Sequence, residues 1–169
     1  MKLLILVVAL LATTLQTFAI KQEFKVIPFN SSVDTWNVTA GCAISCGGSG
    51  DIASDVSVSI EPADCTVKKD GGEFTLTSSY SLSEEVSSGK ANYKASLNGL
   101  PVVNQNDDLC TDLKSGPTPC PLAKGPHKSK ISKALPDSVP AGTFVAQQSW
   151  TTDDGRPILC LKYKITVQG

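Results

Sequence analysis

Hydrophobic and polar residues alternate with a period of two along most of the chain. Val56, Val58 and Ile60 alternate with Ser57 and Ser59, and Phe74, Leu76, Tyr80 and Leu82 share a parity against Thr75, Thr77 and Ser79. Ala91, Tyr93, Ala95 and Leu97 alternate with Asn92, Lys94 and Ser96, and Phe144, Ala146 and Trp150 with Gln147 and Ser149. Leu161, Tyr163, Ile165 and Val167 alternate with Lys162, Lys164 and Thr166. This period predicts strands that each bury one face and wet the other. Turn chemistry falls between them: Asp70-Gly71-Gly72 ahead of Phe74, Ser87-Ser88-Gly89 ahead of Tyr93, and Asp153-Asp154-Gly155 as a hairpin between the Trp150 and Tyr163 strands. No run has the capped 3.6-residue period of a long helix. Seven or so short antiparallel strands with one face each to bury predict two packed sheets, an all-β, immunoglobulin-like β-sandwich. Residues 113–140 hold six of the ten prolines and read mostly as loop, with one short strand near residues 130–135.

The front of the chain reads differently. Lys2 is followed by an uncharged apolar core at residues 3–12, and Thr17-Phe18-Ala19 places small residues where a signal peptidase cuts, so residues 1–19 are predicted to be a signal peptide cleaved after Ala19. A bilayer core needs about 20 apolar residues, more than this stretch offers. Residues 20–169 are then one domain, with its core at about residues 35–167, large enough to bury a real interior. Loss of Lys2 leaves 14 basic against 16 acidic side chains, a formal charge of about −2. With few aromatics and no gathered positive stripe, nucleic acid is not an expected partner.

Six cysteines behind such a leader predict disulfides, because the chain folds in an oxidising compartment. Cys110 and Cys120 bracket a Gly-Pro turn, but six cysteines permit 15 pairings and counting does not choose among them. Zinc would want paired cysteines at short spacing or cysteine with histidine; there is no C-x-x-C and a single histidine, His127, so no metal is expected. Asn30-Ser31-Ser32 and Asn37-Val38-Thr39 are glycan acceptor sequences at Asn30 and Asn37, which the secretory route makes meaningful whether or not each is modified.

Enzymatic chemistry finds little support. His127 lies in a Gly-Pro/Lys stretch with no G-x-S-x-G partner, and the carboxylate pairs Asp107-Asp108 and Asp153-Asp154 are adjacent residues that do not face each other across a bond. Neither an enzyme nor a cofactor is expected. An antibody-type domain is also disfavoured, since Trp36 precedes every cysteine and Trp150 falls between Cys120 and Cys160.

The order of the remaining features resembles a known family. Cys42 and Cys46 stand near the mature N-terminus, Cys65 closes Glu61-Pro62-Ala63-Asp64-Cys65 after the first core strand, and the loop from Cys110 to Cys120 runs into Pro121-Leu122. Pro140-Ala141-Gly142-Thr143-Phe144 and a last strand reached through Cys160 complete the series, over about residues 35–167. This combination resembles the ML lipid-recognition family, which includes the Niemann-Pick type C sterol carrier and phosphatidylglycerol/phosphatidylinositol transfer proteins. The resemblance implies two antiparallel sheets with a lipid cavity between them, and bridges Cys42 with Cys65, Cys46 with Cys160, and Cys110 with Cys120. It implies a secreted or lumenal monomer, extracellular or lysosomal/vacuolar, that carries one lipid and contacts membranes transiently. A phospholipid such as phosphatidylglycerol or phosphatidylinositol is favoured, with sterol transport or lipid presentation to a receptor as alternatives.

Candidate residues follow from laying that expectation on the alternation. Phe74, Tyr80, Tyr93, Phe144, Ala146 and Trp150 face inward, with Leu100, Val102 and Val103 as the apolar run after the Asn98-Gly99 turn. A dry core explains the same inward pattern as well as a lipid slot does, and the apolar run fits an edge strand as well as a cavity rim. Lys128, Lys130 and Lys133, near Lys124 and His127, are candidates for an anionic head group or membrane surface, or else a solvated face.

Overall fold

The structure of the protein, a computed structural model, describes residues 41–69, 71–114, 116–136 and 138–169. The leader at residues 1–19, Trp36, Asp70 and the acceptor asparagines Asn30 and Asn37 lie outside the described residues. Among the described residues the chain forms β1 (Ala43–Ser45), β2 (Ala53–Glu61), β3 (Thr66–Lys68), β4 (Glu73–Leu82) and β5 (Lys90–Leu97). It continues through β6 (Leu100–Asp108), one helical turn α1 (Leu109–Leu113), β7 (Gly125–Ala134), β8 (Gly142–Thr151) and β9 (Pro157–Gln168). The large sheet has the order β1-β9-β8-β5-β6 with β3 also on β9, and the small sheet has the order β2-β4-β7.

The five alternating runs of the sequence are β2, β4, β5, β8 and β9, and their apolar parity is the buried one. Asn98 and Gly99, at φ 50° and 82°, make the two-residue turn that joins β5 to β6. Gly89 is fixed by crowding: a Cβ there would lie 2.4 Å from the Thr151 carbonyl oxygen, so only glycine lets β5 start beside the end of β8.

One pairing departs from the antiparallel expectation, because β3 runs parallel to β9. The Cys42–Cys65 bridge explains it. Lys164 N–H donates to the Cys42 carbonyl and Thr166 N–H to that of Cys65, so the bridge sits at the middle of one edge of β9. The two short strands start there and diverge, β1 antiparallel toward Leu161 and β3 parallel toward Gln168. The other disulfides are Cys46–Cys160 and Cys110–Cys120, the same three pairs that the resemblance implies.

Residues 113–140 also differ from the reading above, since β7 is ten residues long where one short strand was expected. It pairs with β4 along its whole length, from Glu73 against Ala134 to Leu82 against Gly125. The alternation test misses β7 because none of its residues is fully buried, and both of its faces are largely polar.

Candidate functional site

The interior of the sandwich is laid out in cross-strand rows. On the large sheet one row runs Gln105, Tyr93, Gln148, Leu161, and the next runs Val103, Ala95, Ala146, Tyr163. On the small sheet Val58, Ser78 and Ser129 form one row, followed by Ile60, Leu76 and Ile131. Tyr80, stacked on His127 at 5.3 Å, meets Trp150 edge-on across the sheets at 6.0 Å.

Fully buried side chains fall into two groups. The first gathers Ile158, Leu109, Leu122, Tyr93 and Trp150 at the α1 end; the second gathers Val67, Phe74, Ala146, Tyr163 and Ile165 at the β3 end. Val58, Val103 and Phe144 pack against both groups, yet each is only half-buried, as are Leu76 and Ile131 beside them. Apolar side chains that face the middle of a sandwich and still meet solvent mark an interior less closely packed there than at either end. The exposure has a direction. It is greatest on β6 and β7, the outer strands of the two sheets on the side away from β9, where inward positions such as Gln105, Asp107, Ser129 and Lys133 are all half-buried. The side of the sandwich along β6 and β7 is therefore its least buried, a seam between the outer strands of the two sheets.

Most of the residues singled out from the sequence are at this interior. Phe74, Tyr80, Tyr93, Val103, Phe144, Ala146 and Trp150 share the inner faces. Leu100 and Val102 do not lie between the sheets: they are 71% and 38% exposed at the tip of the β5–β6 hairpin. Leu100 pairs with Leu97 at the turn itself, and Val102 is the extra residue of a bulge, since Ala95 pairs with Val103 but Ser96 with Pro101. Of the lysines, Lys133 is in register with inward Phe74, whereas Lys128 and Lys130 pair with Ser79 and Thr77 on the outer face.

Polar groups inside were missed. Ser78 sits between Leu76 and Tyr80 on the inward parity of β4, and Gln148 between Ala146 and Trp150 on that of β8. Their signal was available, because each is a polar residue in phase with its apolar neighbours. Tyr93 donates to the Asp112 carboxylate on α1, and Gln105 Nε2 donates to both oxygens of Asp107 at 2.9 and 2.7 Å. Among the described residues, the side chains of Ser78, Ser129 and Gln148 and the Tyr163 hydroxyl have no hydrogen-bond partner, and the buried Trp150 Nε1–H has no acceptor.

Burial governs the tyrosine ionisations. It raises Tyr163 to about 12, and Tyr80 to about 12 against a small opposing effect of a hydrogen bond from Thr118. Tyr93 is pushed up further, by burial first and then by its hydrogen bond to Asp112 and the nearby negative charge. All three are neutral hydroxyls at physiological pH. Among the described residues no group of three or more His, Cys, Asp or Glu side chains is arranged to hold a metal ion.

Comparison with known proteins places this geometry. The sequence profile described as the ML domain matches residues 42–167. A phosphatidylglycerol/phosphatidylinositol transfer protein of Neurospora crassa is 26% identical over 165 residues, covering 95% of this chain and 90% of its own. The protein of that name from Aspergillus oryzae is 30% identical over 115 residues, covering 68% of this chain and 64% of its own. Among solved structures, a Niemann-Pick type C2 protein from the Japanese carpenter ant has a TM-score of 0.53 at 21% identity, covering 74% of this chain and 98% of its own, a likeness of fold.

Proposed function

The chain belongs to the ML-domain family, and on that premise we propose that it is a lipid carrier, taking one lipid between its sheets and passing phospholipid between membranes. The observation that carries this reading is the interior between the two buried groups, where Val58, Val103 and Phe144 are apolar, inward and half-buried. Each methylene leaving water gains about 0.8 kcal/mol, so an acyl chain needs a continuous apolar slot to leave a bilayer. The seam between β6 and β7 gives such a chain a lateral way in. Phosphatidylglycerol and phosphatidylinositol are the favoured cargo, supported by the names of the Neurospora and Aspergillus relatives.

Leu100 and Val102 at the hairpin tip, with Lys128 and Lys130 on the small sheet, are the surfaces proposed to touch the membrane, apolar side chains inserting and lysines meeting anionic lipid. The three bridges, with no free cysteine among the described residues, fit folding in the secretory pathway, behind a leader at residues 1–19 and with carbohydrate at Asn30 and Asn37. In this reading residues 20–169 act as one monomeric domain that forms no covalent bond to its cargo.

The test is native mass spectrometry of the secreted protein beside transfer of labelled phosphatidylglycerol and phosphatidylinositol between vesicles. A lipid adduct and catalysed transfer are expected, and Ala146→Trp should reduce transfer while the protein stays folded. In a dry core the same insertion overpacks and costs about 1–3 kcal/mol. No adduct, with no transfer of phospholipid or sterol, removes the carrier reading.

A further inference from the structure

The interior is not uniformly apolar. Ser129 on β7 and Ser78 on β4 are paired in register on the inner face of the small sheet. On the large sheet, Gln148 and Tyr163 occupy adjacent inner rows of β8 and β9. Ser78 is 9% exposed and Tyr163 7%, whereas Ser129 and Gln148 are half-buried. The four groups run from the seam toward the depth of the sandwich. Among the described residues none has a hydrogen-bond partner.

None of the four is sealed from solvent in the way that Trp150 Nε1 is, so water serves them until a lipid displaces it; each hydroxyl or amide then left without a partner costs about 1–3 kcal/mol, which disfavours a cargo of hydrocarbon alone. Each is uncharged and each has a proton to donate. A phosphate placed among them would lack a countercharge, since Lys133 stands apart at the Phe74 level and Lys128 and Lys130 face outward. A sterol brings a single hydroxyl. A diacyl lipid brings two ester carbonyls, each oxygen with two lone pairs, between its chains and its head group. Acyl chains then have Ala146, Val103, Leu76 and Ile131 in the neighbouring rows to lie against.

We infer that Ser78, Ser129, Gln148 and Tyr163 form a polar belt that hydrogen-bonds the ester carbonyls of a diacyl lipid inside the sandwich. The inference rests on the carrier reading above and narrows its cargo. The belt reads the part of the lipid common to different head groups, so it selects ester-linked two-chain lipids without selecting among those head groups.

The experiment compares two phosphatidylglycerols of equal chain length, one diester and one diether, by competition against a fluorescent lipid bound to the intact secreted protein. The diester should bind about tenfold more tightly than the diether, the effect of one or two net hydrogen bonds. In the Ser78→Ala/Gln148→Leu double variant that preference should shrink to about twofold, chiefly by weaker diester binding. Ser129→Ala, on an edge strand, gives a second variant whose preference should also fall, and thermal melts establish that each variant is folded. Equal binding of diester and diether by the unaltered protein overturns the belt and leaves the carrier reading standing, as does a preference that survives in folded variants. Cholesterol binding as tightly as the diester also overturns it. Binding of neither phosphatidylglycerol nor cholesterol overturns both readings.

Discussion

The two long sides of the sandwich are built on opposite terms. On the β9 side, β1 and β3 share one edge of the last strand, two disulfides anchor the early chain there, and Leu161, Tyr163, Ile165 and Val167 are buried in succession. On the β6–β7 side no bridge joins the sheets, and no residue of either strand is fully buried. The third disulfide, Cys110–Cys120, closes only its own loop beyond α1. The difference shows how one sandwich divides its two sides: burial and covalent anchoring are concentrated along β9, and the opposite side is left less closely packed.

The largest expected effect is on the covalent part of that contrast. Replacing Cys46 and Cys160 by serine opens a loop of 114 residues, which the chain-entropy model values at about 5 kcal/mol, against about 3 kcal/mol for the 10-residue separation of Cys110 and Cys120. Urea unfolding of the two double variants should keep that order. The reverse order would mean that the α1 loop, not the β9 side, holds the fold.

A packing variant separates the sides without touching a bridge. Leu161→Ala should cost about 2–5 kcal/mol, because Leu161 is fully enclosed between the sheets and its loss leaves a cavity. A cost under about 1 kcal/mol would show that β9 is no better packed than the seam.

Alkaline titration probes the same interior by charge. All three tyrosines lie on the inner strands β4, β5 and β9, and none on β6 or β7. A phenol near 12 in the native state, against about 10 when unfolded, keeps its proton while the unfolded chain loses it. Native stability is therefore unaffected below about pH 10 and falls as pH rises through the range up to about 12. At pH 11, Tyr80 and Tyr163 together should remove about 3 kcal/mol, with Tyr93 adding in the same direction. Tyr163→Phe should flatten the pH dependence of the urea midpoint between pH 9 and about 11. An unchanged slope would place the Tyr163 hydroxyl in contact with water in the native state.

Legibility in the sequence follows the same division. The runs that became β2, β4, β5, β8 and β9 were readable because each buries one face, and burial is what writes a period of two into a sequence. β1 and β3 have three residues each and no period to show; the Cys42–Cys65 bridge and the edge of β9 hold them in place. β7 shows no apolar period because it is an edge strand whose inward positions stay half-buried, so burial does not force them to be apolar. Leu100 and Val102 read equally as a cavity rim or an edge strand; they stand on edge strand β6 at the hairpin tip, where the bulge opposite Ala95 adds Val102 to the exposed side, and a bulge has no composition of its own. Ser78 and Gln148 went unnoticed for a simpler reason: a search for alternating apolar residues passes over the polar ones that keep the phase.

The smallest expected change in stability is at the seam, and it is the one that tests the contrast from its other end. Ile131 faces inward on β7, in register with Leu76, and is half-buried. Truncation to alanine removes apolar area that was already partly in water, so Ile131→Ala should cost about 1 kcal/mol or less. If the seam is where a lipid lies, the same variant should slow vesicle transfer several-fold, because the lost methylenes contact the acyl chain and not the protein core. Leu161→Ala should behave in the opposite way, with a large loss of stability and near-normal transfer by the fraction that remains folded. Thermal melts and transfer rates measured on both variants decide between the two arrangements. Equal destabilisation by Ile131→Ala and Leu161→Ala would mean that β7 is packed as tightly as β9, and that the sheets do not part at this seam.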